Sequence, residues 1–380
     1  MVTTAAVIGP ASASPDDRYT VDVVTDESAF FGLESEWNDA VDRAGFKHPF
    51  LRHEWFRTWW ECFGSGSRPH IVIVRDADRI SAIAPLMLET TWMCGMPARR
   101  LRLMHNDHSP RADFVVTRPG NGVYRAIWDA ITSGDVRWDV LQLGQLPRES
   151  ETTRAIHELA KADGLNVGVW PSGSAPYATL AGTWDAFLNG RTAKFRQNLR
   201  NRISRLSQKG EPVLESIEDP ARAIESLGDV FHLEASDWKE DAGSSIAAEP
   251  DVRRFYTLLA ARAARHGWLR LLFLAVGDRR IATAYGAQYA NRLFLIKTGY
   301  DPSHAQCSPF KLLAYFAVRD GYERGLSEVD FLGDTEPWKL EWTATARPHD
   351  WLFVFGGSSR ARLLHRAKFQ VVPALKRLRG

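Results

Sequence analysis

Leu293-Phe294-Leu295-Ile296 opens the stretch whose reading decides the fold. It continues through Gly299-Tyr300-Asp301-Pro302, Ser308-Pro309 and Asp330-Phe331-Leu332-Gly333 to Trp338-Lys339-Leu340-Glu341-Trp342. The apolar run reads as a strand. Asp301-Pro302 stops it, because proline cannot donate to a ladder and aspartate favours turns. A short polar loop, residues 303–307, follows. Ser308 is then expected as an N-cap, with Pro309 in the first helical position. Leu312, Leu313, Phe316 and Ala317 recur with a helical period, and Gly321 or Gly325 ends the helix. Glu328 to Gly333 is a second strand. Strand, loop, helix and strand make a βαβ unit. Its loop meets a helix N-terminus, where backbone N–H groups and the dipole can hold an anion.

Working outward, a hairpin precedes this unit: Leu269–Val276, a turn at Gly277-Asp278, then Ile281–Tyr289. The first half of the chain echoes the second. Arg79-Ile80-Ser81-Ala82-Ile83-Ala84 resembles Arg280-Ile281-Ala282-Thr283-Ala284, each just past a hairpin turn. Leu141-Gln142-Leu143-Gly144 resembles Asp330-Phe331-Leu332-Gly333, each after a helix. A repeat of about half the chain indicates a duplicated α/β (α+β) domain and not a solenoid. The Pro- and Ser-rich run Pro171 to Pro176 reads as the linker. The expected division is a disordered leader (1–18), two domains (19–172 and 173–357) and a basic C-terminal helix (358–380).

Composition sets the outer bounds. With 380 residues, 44% hydrophobic and 25% charged, the chain has material for two cores and is not disordered, collagenous or a disulfide scaffold. Cys62, Cys94 and Cys307 form no CxxC pair and point to a reducing compartment. No apolar run reaches the ~20 residues a bilayer span needs. The leader has no basic n-region, so a cytoplasmic protein, peripheral at the inner membrane surface, is expected. Nothing has metal-ligand spacing, and no metal is expected. A net charge of +2 says nothing about an anionic partner; local clusters carry that case. The helix expected over Arg191–Lys209 has seven basic residues and no acid, and the C-terminal segment carries Arg360, Arg362, Arg366, Lys368, Lys376, Arg377 and Arg379. Either is a solvated face or a contact for an anionic membrane, a nucleotide-linked acceptor or a tRNA; nucleic acid otherwise lacks stacking motifs.

Several blocks resemble a known family: Lys194-Phe195-Arg196-Gln197-Asn198-Leu199-Arg200; Glu234 and Trp238; Gly299-Tyr300-Asp301-Pro302; Ser308-Pro309 with Leu312-Leu313; and Asp330-Phe331-x-Gly333 running to Trp338-Lys339, where the family usually has Tyr-Lys. The second half resembles the GNAT acyltransferase fold. More narrowly, the chain resembles the acetyltransferase family of the cellulose-biosynthesis protein CelD (BcsL), itself similar to the FemAB aminoacyltransferases with two such domains in tandem. The resemblance implies tandem GNAT-like domains, acetyl-CoA or another acyl-CoA as co-substrate, and transfer to a polysaccharide or cell-envelope precursor. The donor would contact Tyr300, His304, Gln306, Ser308 and Lys311, and the acceptor Arg196, Arg200, Trp238 and Trp338. One departure stands out. The pyrophosphate loop of acyl-CoA enzymes carries two glycines, and here the slot reads His304-Ala305-Gln306-Cys307-Ser308-Pro309. An aminoacyl-tRNA donor of the FemAB type, or a catalytically silent binding module, therefore stays open.

Direct acyl transfer needs a base for the attacking amine or hydroxyl and donors for the developing oxyanion. Asp330, near a strand end, and Glu234, one turn before Trp238, are the candidate bases. Each has a bland alternative, a loop-bound or an exposed carboxylate. Lys339, between aromatic residues, is expected to bury its stem and offer its ammonium to a carbonyl or phosphate.

Overall fold

The computed structural model describes residues 18–134, 136–236, 246 and 249–372. The leader to residue 17, the loop at 242–245 and Trp238 lie outside the described residues. The strands are β1 (Tyr19–Val24), β2 (Arg68–Asp76), β3 (Arg79–Met93), β4 (Met96–Leu103), β5 (Val115–Val116), β6 (Val140–Pro147), β7 (Asn166–Thr179), β8 (Pro212–Ile217), β9 (Leu269–Val276), β10 (Arg279–Tyr289), β11 (Arg292–Tyr300), β12 (Glu328–Asp330) and β13 (Ala346–Phe355).

They form one mixed sheet in the order β1-β2-β3-β4-β6-β13-β7-β12-β11-β10-β9-β8, with β5 paired to β3. Read inward from either end, four antiparallel strands are followed by one parallel step, β4 to β6 or β11 to β12. The two arms meet at the antiparallel β7–β13 pair. Both sequence echoes fall at matching places: on β3 and β10, and on β6 and the end of β12 with the residues just past it. The hairpin turns match as well, with Ala77 (φ 52) and Gly277 (φ 56) both left-handed.

Helices pack on both faces of β2, β9 and β11, which is why these strands carry unbroken apolar runs, Ile71–Val74, Leu271–Val276 and Leu293–Ile296. Along β2, Ile71 and Ile73 face one core while Val72 and Val74 face another, the period-two alternation of a strand. The first of these cores is common to both halves. Phe50 meets Phe294 edge-on at 5.3 Å, and Trp55 meets Phe255 at 5.8 Å. Such ring pairs contribute about 0.5–1.5 kcal/mol each beyond area burial.

The expected linker is not one. Residues 171–176 belong to β7 and pair with β13. A register shift at His349/Asp350 sits opposite Pro171, and a bulge tolerates the missing N–H. β7 thus runs through the expected 172/173 boundary, and β13, numbered with the second half, pairs with β6 of the first.

Candidate functional site

β11 and β12 pair only at Arg292–Phe294 and Glu328–Asp330. β12 then ends, while β11 runs on to Tyr300. The two strands open into a wedge, and the wedge is a cleft of about 490 Å³. Its walls are residues 295–300 of β11, the start of the Pro309–Glu323 helix with Ser308 and Lys311, and the segment after β12 with Trp338 and Lys339. The volume suits a small ligand. The position, beyond the carboxyl ends of parallel strands, is where α/β folds place ligands. The register of β10 against β11 slips between Tyr285 and Gly286, which face Lys297 and Leu295, so Ile296 is an extra residue in the cleft wall. Bulges of this kind re-aim side chains beside active sites.

The loop at the mouth is tightly organised. Asp301 accepts from the Ser303 N–H at 2.9 Å and lies 3.4 Å from His304 Nδ1. Residues Pro302–Cys307 form a 3-10 turn. Ser308 follows with φ 53 and ψ 60, and its side chain caps nothing. Ser308 thus stands at the expected N-cap position with Pro309 opening the helix, but in a left-handed conformation that usually calls for glycine and without a side-chain cap. The helix start has no side-chain cap, and Pro309 has no N–H, so the first-turn N–H groups of Phe310 and Lys311 have no capping side chain at the cleft. Lys311 adds a cation, 3.0 Å from Glu341. His304 and Gln306 lie outside the cleft lining. The Gln306 carbonyl accepts from Arg205 at 2.8 Å, which ties the loop to the basic Ala193–Ser207 helix.

Lys339 is buried, and its partners are within its own loop. Nζ donates to the carbonyls of Leu332 (2.8 Å) and Asp334 (3.0 Å) and pairs with Glu336 at 2.9 Å. Leu332 (φ 52) and Gly333 (φ 59) are both left-handed, so the ammonium holds a strained turn together. The ammonium is thus directed to carbonyls of this chain's own loop. Asp330 is fully buried between guanidiniums: Arg111 and Arg347 (2.9 Å) both bond Oδ2, and Oδ1 accepts from the Leu332 N–H at 3.0 Å. A carboxylate so enclosed is a structural pin between a first-half loop and β12. Glu234 is also buried and accepts from the Ile246 N–H at 2.7 Å. Its backbone backs the cleft wall: a Cβ on Gly299 would lie 2.4 Å from Glu234 Cα.

Of the expected acceptor contacts, Trp338 lines the cleft, edge-on to Phe310 at 4.4 Å. Arg196 is half-buried and donates to the carbonyls of Asn189 (2.8 Å) and Arg191 (2.5 Å). Arg200 is exposed and bonds Gln197 at 2.7 Å. The structure therefore brings together Tyr300, Ser308, Lys311, Trp338 and Lys339, and leaves His304, Gln306, Asp330 and Glu234 outside the lining. It adds Lys297 and Glu336, which sequence reasoning missed. Lys297 stands in the cleft lining just past the extra residue of the bulge, which no periodicity reveals, and its ammonium lies 6.0 Å over the Tyr256 ring. Glu336 had a visible signal, an acid beside Pro337 in the block most specific to the resemblance.

The matching split in the first half is closed. Below the Arg100–Arg102 and Val140–Gln142 pairing, residues 104–112 fill the gap. Ala112 donates to Gln145, and His105 packs so closely on Gly144 that a Cβ there would lie 2.4 Å from Nε2.

Residues 193–340 match the family model described as an acetyltransferase (GNAT) domain. No curated protein matches the chain. Among solved structures, FemX superposes with a TM-score of 0.58 at 11% identity, over 87% of this chain and 98% of that one. The C-terminal domain of a candidate lysylphosphatidylglycerol synthetase from Agrobacterium fabrum gives 0.53 at 11% identity, over 89% and 95%. A protein of unknown function from Bacteroides thetaiotaomicron gives 0.50 at 13%, over 89% and 100%. At these identities the likeness is one of fold: a GNAT-like mixed sheet flanked by helices.

Proposed function

We propose that this protein is a GNAT-type acyltransferase whose donor occupies the cleft between β11 and β12. The observation that carries the reading is the splay of these two parallel strands beside an uncapped helix start, with the GNAT family match across the same residues. The residues present fit an acyl-CoA in part. Ser308 supplies the left-handed backbone, and the N–H groups of Phe310 and Lys311 with the Lys311 ammonium suit a diphosphate. The acyl group would lie along residues 295–300, under Trp338.

Transfer is direct: the acceptor's amine or hydroxyl attacks the acyl carbonyl, the bond to the donor's leaving atom breaks, and the acceptor's proton leaves to a base. Glu336 is the carboxylate that lines the cleft among the described residues, and we assign it that role. Lys339, spent on its own loop, positions Glu336 instead of serving as the oxyanion donor. The acceptor class is a polysaccharide or cell-envelope precursor, in keeping with the resemblance to the CelD family. The name of one fold neighbour, a lysylphosphatidylglycerol synthetase domain, is in keeping with an envelope setting. The glycine-free loop favours a second reading, an aminoacyl-tRNA donor.

A melting scan with acetyl-CoA, longer acyl-CoAs, CoA and charged tRNA tests both. At a ligand concentration ~100 times the dissociation constant, stabilisation of about 2.7 kcal/mol is expected. Stabilisation by charged tRNA alone transfers the cleft to the second reading. No shift with any of them rejects the cleft as a donor site.

A further inference from the structure

Far along the sheet from the cleft, Val140, Phe355 and Asn166 align at one end of β6, β13 and β7. The β3–β4 hairpin projects from the same end, since Arg100 pairs with Val140 and the tip lies beyond at Met93–Met96. At that tip Trp92 is 74% exposed.

The Ser359–Arg366 helix starts just past Phe355 and continues as a π-helical turn, Ala367–Val371. Its inner side buries Ala361 and Leu364 in the cluster that also holds Met93 and Phe355. Phe369 packs on that cluster and fills the space over Gly168. Its outer side carries Leu363 (53% exposed) and Val371 (52%) among exposed Arg360, Arg362 and Arg366. From Gly356 to Val372 there is no acidic residue. Charges facing this region from neighbouring elements add to the cationic field: Lys161 lies near His365, and Arg99 is exposed on β4. The nearby carboxylates are occupied, Glu89 by Arg100 and Arg102, Asp139 by the Arg99 N–H.

We propose that this end of the sheet, the Ser359–Val371 segment with the Trp92 hairpin tip, docks on an anionic lipid bilayer. Apolar side chains alternating with cations on one exposed side match the boundary between acyl chains and charged headgroups. A tryptophan, apolar in body and polar at its N–H, suits the same depth. A protein partner would need complementary acids and shape, for which nothing here selects. The inference concerns a surface remote from the cleft and stands whether or not the acyltransferase reading holds.

The test is co-sedimentation with vesicles of phosphatidylcholine alone and of phosphatidylcholine mixed with phosphatidylglycerol, at low and high salt. The native protein should pellet with the anionic vesicles, and salt should release it. Arg362→Glu combined with Arg366→Glu should weaken partitioning by at least ~10-fold, because each cation near a charged membrane contributes severalfold. Trp92→Ser should weaken it without changing the salt dependence. All three positions are exposed, and unchanged melting of each variant separates lost docking from lost fold. Equal binding to neutral vesicles, or no effect of the charge reversal, overturns the proposal. So does tight binding of tRNA by the same side chains with no vesicle binding.

Discussion

Replacing Lys339 with methionine separates two accounts of the most specific sequence block. Methionine keeps the apolar stem between Trp338 and Leu340 and removes only the ammonium. In the structure that ammonium satisfies the carbonyls of Leu332 and Asp334 and pairs with Glu336. The Leu332 bond is buried, so its orphaned carbonyl costs about 1–3 kcal/mol. Asp334 is exposed and water can replace its partner, at about 0.5–1 kcal/mol. The pair with Glu336, itself 54% exposed, contributes no more than about 1 kcal/mol. The expected loss is therefore about 1.5–5 kcal/mol, read from urea midpoints at constant slope. Turnover of whatever donor the melting scan identifies should also fall, because the turn at Leu332–Gly333 and Glu336 lose their anchor. A loss below ~1 kcal/mol with a ~10²-fold fall in turnover would refute this reasoning, since that pattern belongs to an oxyanion donor.

Glu336→Gln should leave the urea midpoint within about 1 kcal/mol, as its side chain is half in solvent, while slowing transfer by ~10²-fold or more; an undiminished rate removes Glu336 from the chemistry. Burial depresses His105 to about 3 and His349 to about 4, and raises Asp113 to about 6. The histidines fold neutral, so their contribution is present above ~6.5 and is lost as pH falls toward 4. Asp113 acts oppositely, favouring the fold below ~4 and costing stability as pH rises through about 6. With His108 also depressed to about 4 and His48 held well below its usual value by burial, such histidines outnumber the one such acid, so melting temperature should drop between pH 7 and pH 4, and Asp113→Asn should raise it at pH 8 but not at pH 4. A flat profile, or equal gain at both pH values, contradicts these burial effects.

Much of the architecture was legible because it rests on local signals. The run Leu293–Ile296 is in β11, the period of Leu312, Leu313 and Phe316 is in the Pro309–Glu323 helix, and both sequence echoes mark equivalent places. The failures have physical causes. Pro171 to Pro176 carry turn composition, yet a bulge lets Pro171 sit within a ladder and Pro176 falls where the β13 pairing begins, and both are relations between strands that no single segment records. Ser308-Pro309 has the right residues for an N-cap, but cap geometry depends on backbone angles set by the preceding 3-10 turn. The site was legible as a place, less so as a set of groups. Tyr300, Ser308, Lys311, Trp338 and Lys339 do converge. Asp330 was legible as a charge, but its partner Arg111 lies 219 positions away and comes from tertiary packing; Arg196 was legible too, but it turns back onto the Asn189 and Arg191 carbonyls of the segment before its own helix. Lys297 was hidden by the one-residue slip at Ile296.

The interleaving of β7 and β13 also bears on how the chain can be made. The outer edge of β6 acquires its neighbour only from β13; Arg148 and Asp350, which clasp the two strands, are 202 residues apart in sequence. During synthesis the first arm therefore waits with an open apolar edge until nearly the whole second arm has emerged. Closure of so distant a pair is entropically slow, and exposed edges invite wrong pairing in the interval. The first arm expressed alone would keep that edge permanently open, so a chaperone dependence that eases once β13 is available is the natural consequence of this topology.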